Sequence, residues 1–448
     1  MPASAANDAA LIGRLQAIVG QAHVINDESE RDYFAQDVYG AGAPPLAVVQ
    51  PADTTQLAAT VKAATEAGLA VIPRGGGMSY TGGYLSPTSR AVTIDIRRMN
   101  RVLEINLQDM YVTVECGCTW HALHEALKDK GVRPPFWGTL SGLQASIGGG
   151  LSQNSIFFGS GQHGSAADSV IGLDVVLADG TVLRTGTAGV KGAAPFWRHY
   201  GPDLSGLFTA DAGALGIKAV ATLKLIADPA ERRFASFGFD ALAPMLTAMS
   251  EISRRGLASE CFGFDPNLQA QRMKRESLVA DVKALAGVMQ AASSFGGAIK
   301  DAVKLALAGR SYMKTVRYSC HVASEHRYAG AADAALAEIR AVARAAGGRE
   351  IENAIPKIVR ANPFTPLNNM IGPNGERWVP IHGVVPHSKA PAMCAAIEAL
   401  FACERQALEK YDILTGYLYA TIGASAMVIE PVFFWPDALT VFHQRHVE

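Results

Sequence analysis

The sequence predicts an α+β protein in two domains, residues 1–228 and 229–448. Three observations carry this. Short apolar runs alternate with helically spaced segments around two glycine-rich loops in the first half. Asp228-Pro229 then marks a boundary. Beyond it, longer alternating strands are separated by long helices, the pattern of an antiparallel-sheet cap with flanking helices. A chain of 448 residues is long enough for two or three domains and a sizeable core.

The elements follow from spacing. Leu11, Leu15, Ile18 and Val19 predict an amphipathic helix over Asn7 to Gly20. A strand from Ala47, a helix from Thr54 that stops at Gly68, and a strand from Leu69 to Pro73 form a β-α-β unit. Strands are expected at Ala91–Ile96, Val102–Asn106 and Tyr111–Glu115, then a helix over Thr119–Lys130 closed by Gly131. Ala178-Asp-Gly-Thr181 joins two apolar runs as a hairpin, and Ala219–Leu225 is the last strand of this half. The second half reads as strands at Arg233–Phe239, Ala258–Phe264, Val316–Ala323, Glu350–Ile355, Ile381–Val385, Gly416–Ala420 and Ala426–Phe434. Helices are expected at Ala243–Arg254, Glu276 to about Ala308, Ala329–Ala346 and Ala390–Glu409.

The β-α-β unit delivers the chain into Val71-Ile-Pro-Arg-Gly-Gly-Gly-Met-Ser-Tyr-Thr-Gly-Gly83. Consecutive glycines let backbone N–H groups converge on an anion, so this reads as a phosphate-cradling loop. Arg74 offers a donor fork suited to phosphate; the alternative is a surface ion pair. No Lys follows the glycines, which excludes a P-loop, and Tyr80 stands where a dinucleotide fingerprint needs its last glycine. A second loop, Gly138 to Asn154, holds Ser146-Ile-Gly-Gly-Gly150 and leads to Gly164 and to Asp168, for which a helix or turn cap is one reading.

Charge and cysteine usage exclude other classes. Lys plus Arg number 40 against 41 Asp plus Glu, without runs, so nucleic acid is not expected as a partner. Six cysteines in so long a chain do not suggest a disulfide framework, and Cys116-Gly-Cys118 lies in an apolar alternation without a second pair, which reads as core rather than metal. The start lacks the basic and apolar regions of a secretory signal, and Ile413 to Trp435 reads as two buried strands rather than a transmembrane segment, so a cytoplasmic protein is expected.

Four stretches in order, Pro73-Arg-Gly-Gly-Gly-Met-Ser79, Leu143-Gln-Ala-Ser-Ile-Gly-Gly-Gly150, Gly164-Ser-Ala-Ala-Asp168 and Gly206-Leu-Phe…Leu215-Gly-Ile217, resemble the FAD-binding domain of the vanillyl-alcohol oxidase and p-cresol methylhydroxylase family. Within it, the chain is most similar to glycolate oxidase FAD subunits and D-lactate dehydrogenases. The resemblance covers about Ala47 to Ile226 and implies FAD held in a domain of two α+β subdomains. It implies cofactor contacts from Pro73, Arg74, Gly75, Gly76, Gly77, Met78 and Ser79, and from Ser141, Gly142, Ser146, Gly148, Gly149 and Asn154. It implies further contacts from Gly164, Asp168, Gly216 and Ile217. Relatives that hold FAD covalently have a His in the first loop; Met78 here implies non-covalent FAD.

The family's 2-hydroxy-acid branch has a Gly-Asp-Gly-Asn-x-x-His segment tied to a metal. This chain has instead Asn368 to His387, closer to the phenol-oxidising branch, and no metal is expected. The expected activity is FAD-dependent dehydrogenation of a small 2-hydroxy acid or aromatic alcohol, by hydride transfer to flavin N5. Such a reaction needs a base for the hydroxyl proton. His382 and His387 are the first candidates for base or orienter, with Tyr419, Glu430 and Tyr417 behind them and Arg377, Trp378 and Tyr417 as substrate contacts. His121 and His124 read as solvated, and His163 as cofactor-positioning or catalytic. The electron acceptor (oxygen, a quinone or a cytochrome) stays open, and a homo-oligomer is compatible. Relatives return a C-terminal segment to the FAD domain, whereas this sequence stops soon after a cap strand, so a truncated copy is expected as one alternative. The rival function is a catalytically inactive FAD-binding scaffold.

Overall fold

The computed structural model describes residues 2–275, 316–365, 372 and 375–446. The helix expected from Glu276 to about Ala308, and Asn368 to Ile371 of the cap segment, lie outside the described residues.

The first half contains two sheets. Strands β1 (Val24–Ile25), β2 (Ala47–Val49), β3 (Ala70–Arg74) and β4 (Ala91–Asp95) form a sheet in the order β1-β2-β4-β3, with β2, β4 and β3 parallel. The helix Thr54–Glu66 makes the crossover between β2 and β3; the Asp53 carboxylate accepts from Gln56 N at its start, and Gly68 ends it with φ 70°. Strands β5 (Val102–Asn106) and β6 (Tyr111–Glu115) precede the helix Trp120–Leu127 and the short β7 (Val132–Arg133). Then come β8 (Val170–Val176), β9 (Val182–Arg184), β10 (Ile217–Lys224) and β11 (Ile226–Ala227). Five of these make an antiparallel sheet, β5-β6-β10-β8-β9, and β11 pairs with β7. Cys116 and Cys118 are buried in the shared core of the two sheets.

The second half is one antiparallel sheet. Strands β12 (Glu231–Phe239), β13 (Glu260–Phe264), β14 (Tyr318–His326), β15 (Arg349–Ile351), β16 (Glu376–Pro380), β17 (Gly383–Pro386), β18 (Leu414–Ile422) and β19 (Ala426–Pro436) run in the order β15-β12-β14-β13-β18-β19-β16, with β17 also on β19. Strand alternation gives the sheet two apolar faces. One, including Phe237, Cys320, Tyr417, Tyr419 and Ile429, packs under the helices Leu242–Arg254, Ala329–Ala345 and Ala390–Cys403. The other, including Phe262, Leu418, Ala420 and Val432, meets Ile156 and Phe157 of the first half.

Three boundaries differ from expectation. The strand foreseen over Glu350–Ile355 ends at Ile351, and Ala354–Ala361 is a helix; Pro356 sits in its first turn, where no N–H is needed. The strand expected at Ile381–Val385 starts at Gly383 and runs to Pro386, and a separate strand, Glu376–Pro380, precedes it; both pair with β19. The helix over Ala390–Glu409 breaks at Glu404 into Ala390–Cys403 and Arg405–Lys410. After β19 the helix Val441–His446 returns to the first half: Phe442 is buried against Tyr33, and Arg445 pairs with Glu30 at 2.5 Å.

A buried ionic cluster joins the halves. Arg133 of β7 reaches Glu325 of β14 at 2.5 Å and Asp228 at 3.1 Å. Arg360 bonds Glu260 at 3.0 Å and also contacts Glu325, while Arg232 bonds Glu325 at 3.2 Å. Three guanidinium groups hold the Glu325 carboxyl below its usual range despite burial. Removing that carboxylate leaves buried cations without their partner, which typically costs about 3–5 kcal/mol. Glu325→Ala is therefore expected to lower the chemical-denaturation midpoint markedly, whereas Glu350→Ala, which removes an exposed ion pair with Arg340, should shift it little. Equal shifts for the two variants would contradict a central role for the cluster.

Candidate cofactor and active site

The first loop leaves the carboxyl ends of the parallel strands, the usual ligand-binding edge of such a sheet. It crosses the second loop at backbone contact. A Cβ on Gly76 would lie 1.8 Å from the Gln144 carbonyl oxygen, and one on Gly75 would lie 2.1 Å from Ser146 Oγ. Asp37 clamps the far side, accepting from Gly40 N at 2.7 Å and Gly82 N at 3.1 Å, and the Tyr84 hydroxyl donates to Gly77 O at 2.9 Å. Among the described residues, no protein acceptor takes the backbone N–H groups of Gly76 through Tyr80. Consecutive N–H groups held without protein partners make an anion-binding concavity.

Arg74 differs from both of its expected roles. It is 2% exposed, and its guanidinium carbon stands 4.6, 5.0 and 5.4 Å from the ring centres of Phe34, Tyr84 and Tyr33. Its Nε and Nη1 have no hydrogen-bond partner. It is neither a surface ion pair nor an open fork; aromatic faces hold its charge behind the loop, where it adds to the field the N–H groups present.

The second loop is built differently from expectation. Its helix, Ile147–Ser152, is capped by Ser146 Oγ, which accepts from Gly149 N at 3.2 Å. Ile147 N and Gly148 N donate to the Cys118 and Cys116 carbonyls, both at 2.8 Å. Most of these N–H groups are thus used internally, and the glycines serve close packing. A Cβ on Gly148 would come within 2.7 Å of Cys116 Cβ, and one on Gly150 within 2.8 Å of Trp120 Nε1.

A cavity of about 420 Å³ runs between the loops and the cap sheet. Pro73, Arg74, Gly75, Gly76, Gly77, Met78 and Ser79 line it, as do Ser141, Ser146, Gly148, Gly149, Gly216 and Ile217. Four expected cofactor residues stand outside its wall. Gly142 lies under Phe364, with 2.3 Å from its Cβ position to the ring. The Asn154 side chain accepts from Ala167 N at 3.3 Å. Asp168 accepts from Ser165 N and Oγ at 2.8 and 2.9 Å, the turn-cap alternative, and Gly164 packs against that carboxylate. Lys218 and Asp211 went unnoticed in the sequence; they line or flank the cavity as a buried pair at 2.7 Å. Lys218 starts β10 within an otherwise apolar run, so nothing in its pattern marked it as a buried cation.

At the cap end, alternation decides which residues face the cavity. On β18 Leu418 and Ala420 do; Tyr417 and Tyr419 point to the other face, stacked at 5.8 Å beneath the helices, so their catalytic and substrate roles are withdrawn. On β16 Trp378 faces the cavity, while Arg377 is buried and donates to the Gly375 and Ala438 carbonyls, both at 2.7 Å, and is no substrate contact. His387 lies away from it, 3.1 Å from Ser253 Oγ, as does His163, which burial and the nearby Arg133 push down to about 4. His121 and His124 are half-buried against Phe364, His124 also against Trp137, rather than solvated.

His382 and Glu430 come together in the cavity, Nδ1 to Oε2 at 3.5 Å. Tyr80, missed in the sequence because it was read only as a failed glycine position, lines the same cavity. Burial pushes Glu430 up to about 7 and His382 down; burial and then the Glu430 charge raise Tyr80. A carboxyl poised near neutrality beside an imidazole can accept a proton and pass it on.

The Glu430 shift also sets a pH dependence. From an ordinary value of 4.5 up to about 7, the folded state binds more protons than the unfolded one, so this group's stabilising contribution is complete below 4.5 and lost as pH rises through 7. The full effect is on the order of 3 kcal/mol. Glu430→Gln should therefore gain stability relative to the parent between pH 5 and pH 8 in thermal unfolding; parallel profiles would show that the carboxyl is not shifted.

Residues 45–186 match the family model described as an FAD binding domain. The glycolate oxidase subunit GlcD of Bacillus subtilis is 32% identical over 190 residues, 42% of this chain and 38% of that protein. The mitochondrial D-lactate dehydrogenase [cytochrome] 1 of Saccharomyces cerevisiae is 28% identical over 216 residues, 48% of this chain and 35% of that protein. The matched stretch thus spans well under half of these curated relatives. In fold, the chain is similar to p-cresol methylhydroxylase with substrate bound, at TM-score 0.71 and 18% identity over 96% of this chain and 83% of that one. It is also similar to alkyldihydroxyacetonephosphate synthase, at TM-score 0.69 and 15% identity over 97% of this chain and 77% of that one. Loop geometry and matched family agree, because a diphosphate is what five adjacent unpaired N–H groups can bind. Residues 45–186 of this chain therefore carry an FAD binding domain, and FAD is its cofactor.

Proposed function

We propose that the protein is an FAD-dependent oxidoreductase that dehydrogenates a small hydroxylated substrate, a CH–OH donor, bound between the glycine loops and the cap sheet. The observation that carries this is the His382–Glu430 pair, at 3.5 Å in the same cavity as the FAD loops. Glu430, or His382 through it, accepts the hydroxyl proton, and the phenol of Tyr80, which lines the same cavity, orients the same oxygen. When bound, FAD supplies the acceptor for the two electrons that leave the carbinol carbon. Trp378, Ile381 and Leu418 give the cavity an apolar wall beside the reacting groups. The names of GlcD and the yeast D-lactate dehydrogenase support a hydroxy-acid donor, and the fold of p-cresol methylhydroxylase an aromatic one. Met78 in the cavity wall, in place of a nucleophilic side chain, supports FAD held without a covalent bond.

Purified protein reconstituted with FAD should show a flavin absorption band, and acid precipitation should release the flavin to the supernatant. Gly76→Ala, whose new Cβ meets the Gln144 carbonyl, is expected to lose at least tenfold in FAD affinity. In an anaerobic screen of 2-hydroxy acids and benzylic alcohols, at least one compound should bleach the band. Glu430→Gln should keep FAD yet bleach roughly 10²- to 10⁴-fold more slowly, the usual range for a lost general base. FAD bound in full with no compound of either set bleaching it would favour the inactive scaffold instead.

A further inference from the structure

We propose that the cap end of the cavity selects an uncharged hydroxyl compound with an apolar body and rejects carboxylates, so that 2-hydroxy acids are not its substrates. This deepens the proposed function and rests on it. A carboxylate removed from water needs a cation or several donors in exchange. Among the described residues, only two Lys or Arg side chains line the cavity, Arg74 and Lys218, and neither is available at the cap end. The head of Arg74 is enclosed by aromatic rings behind the first loop, and Lys218 is bound to Asp211 at 2.7 Å. Arg377, the one guanidinium on the neighbouring cap strand, points to the opposite side and is committed to two carbonyls.

What faces a substrate here is a carboxyl of the protein's own. Glu430 shares its face of the sheet with Leu418, directly opposite on β18, and with Ala420 close by. Ile156 and Phe157 line the cavity from the first half, and Trp378 and Ile381 from the cap. The one imidazole among the described lining residues, His382, has its proton affinity lowered by desolvation and already contacts Glu430, so it is a weak source of compensating charge. A substrate carboxylate would therefore stand against an ionised Glu430 among apolar walls. A hydroxyl group can instead donate to that carboxylate, and an apolar body fits the rest.

Benzamide and benzoate test this, because they are nearly the same shape, differ in charge and carry no carbinol hydrogen to oxidise. Binding to FAD-loaded protein at pH 8 is read by calorimetry and by perturbation of the flavin spectrum. FAD uptake is measured first, so loss of the cofactor reading is seen separately from loss of selectivity. Benzamide is expected to bind at least tenfold more tightly than benzoate, and Glu430→Gln to narrow that ratio at least tenfold by improving benzoate binding. D-Lactate and glycolate should leave the flavin oxidised. Benzoate binding as tightly as benzamide, binding of neither, or bleaching by D-lactate would overturn the proposal, whatever the behaviour of the variant.

Discussion

The cavity exists because Gly75 and Gly76 have no side chains. Their backbone meets the Gln144 carbonyl and the Ser146 hydroxyl at distances no Cβ tolerates, which locks the end of the parallel sheet to the loop after the helix Trp120–Leu127. A matching contact lies beneath it, where a Cβ on Gly117 would fall 2.0 Å from the Ile96 carbonyl. Between these two crossings the sheets of the first half are held at one fixed spacing. The N–H groups of Gly76 to Tyr80 are left over from the crossing: a loop pressed so close to its neighbour has no room to curl back and satisfy them itself. A bound anion then completes the hydrogen bonding that the fold leaves open.

How much of this was legible depends on whether a feature is local. The glycine run, the β-α-β unit before it and the hairpin at Ala178 to Thr181 are set by residues within a few positions of one another, and the structure contains them as read. The two strands read across Ile413 to Trp435 are likewise β18 and β19. The facing of β18 was not legible. In Tyr417-Leu-Tyr-Ala420 both faces are apolar, so periodicity cannot say which set meets the ligand; pairing with β13 and β19 decides it, and it sends the tyrosines the other way. Arg377 failed for the same reason, one residue away from Trp378. Arg74 failed differently, because its environment is made by Tyr33 and Phe34, some forty residues earlier in the chain, a distance over which sequence spacing carries no contact information.

The molecule buries carboxyl groups in two ways, and the contrast bears on what the cavity is for. Glu325 and Glu260 sit where the halves meet, each with an Arg within hydrogen-bonding distance, and Glu260 also accepts from Gly159 N at 2.8 Å. Asp265 has no Arg in contact among the described residues, yet its Oδ1 accepts from Tyr417 N at 2.9 Å and Leu268 N at 2.8 Å, so the backbone uses it. Each of these is the structural solution to a buried acid: pair it, or let it cap a chain segment.

Glu430 follows neither pattern. Among the described residues no backbone N–H and no Arg or Lys holds it, its only close partner is an imidazole at 3.5 Å, and burial alone moves its proton affinity toward neutrality. Such a group destabilises the fold when it ionises, and an apolar residue of similar size on β19 would remove that penalty, since Val428 and Val432 occupy the same face two positions to either side. A carboxyl at a place where the fold gains nothing from its charge, and where that charge faces a ligand-sized space, fits a role in proton transfer better than a role in stability. The same lack of a neighbouring cation that raises its proton affinity makes the space around it a poor host for a second carboxylate. Acid–base chemistry and substrate charge are thus two consequences of one arrangement, in which Glu430 shares the cavity wall with Leu418, Ala420 and Trp378 and, among the described residues, has no cation beside it.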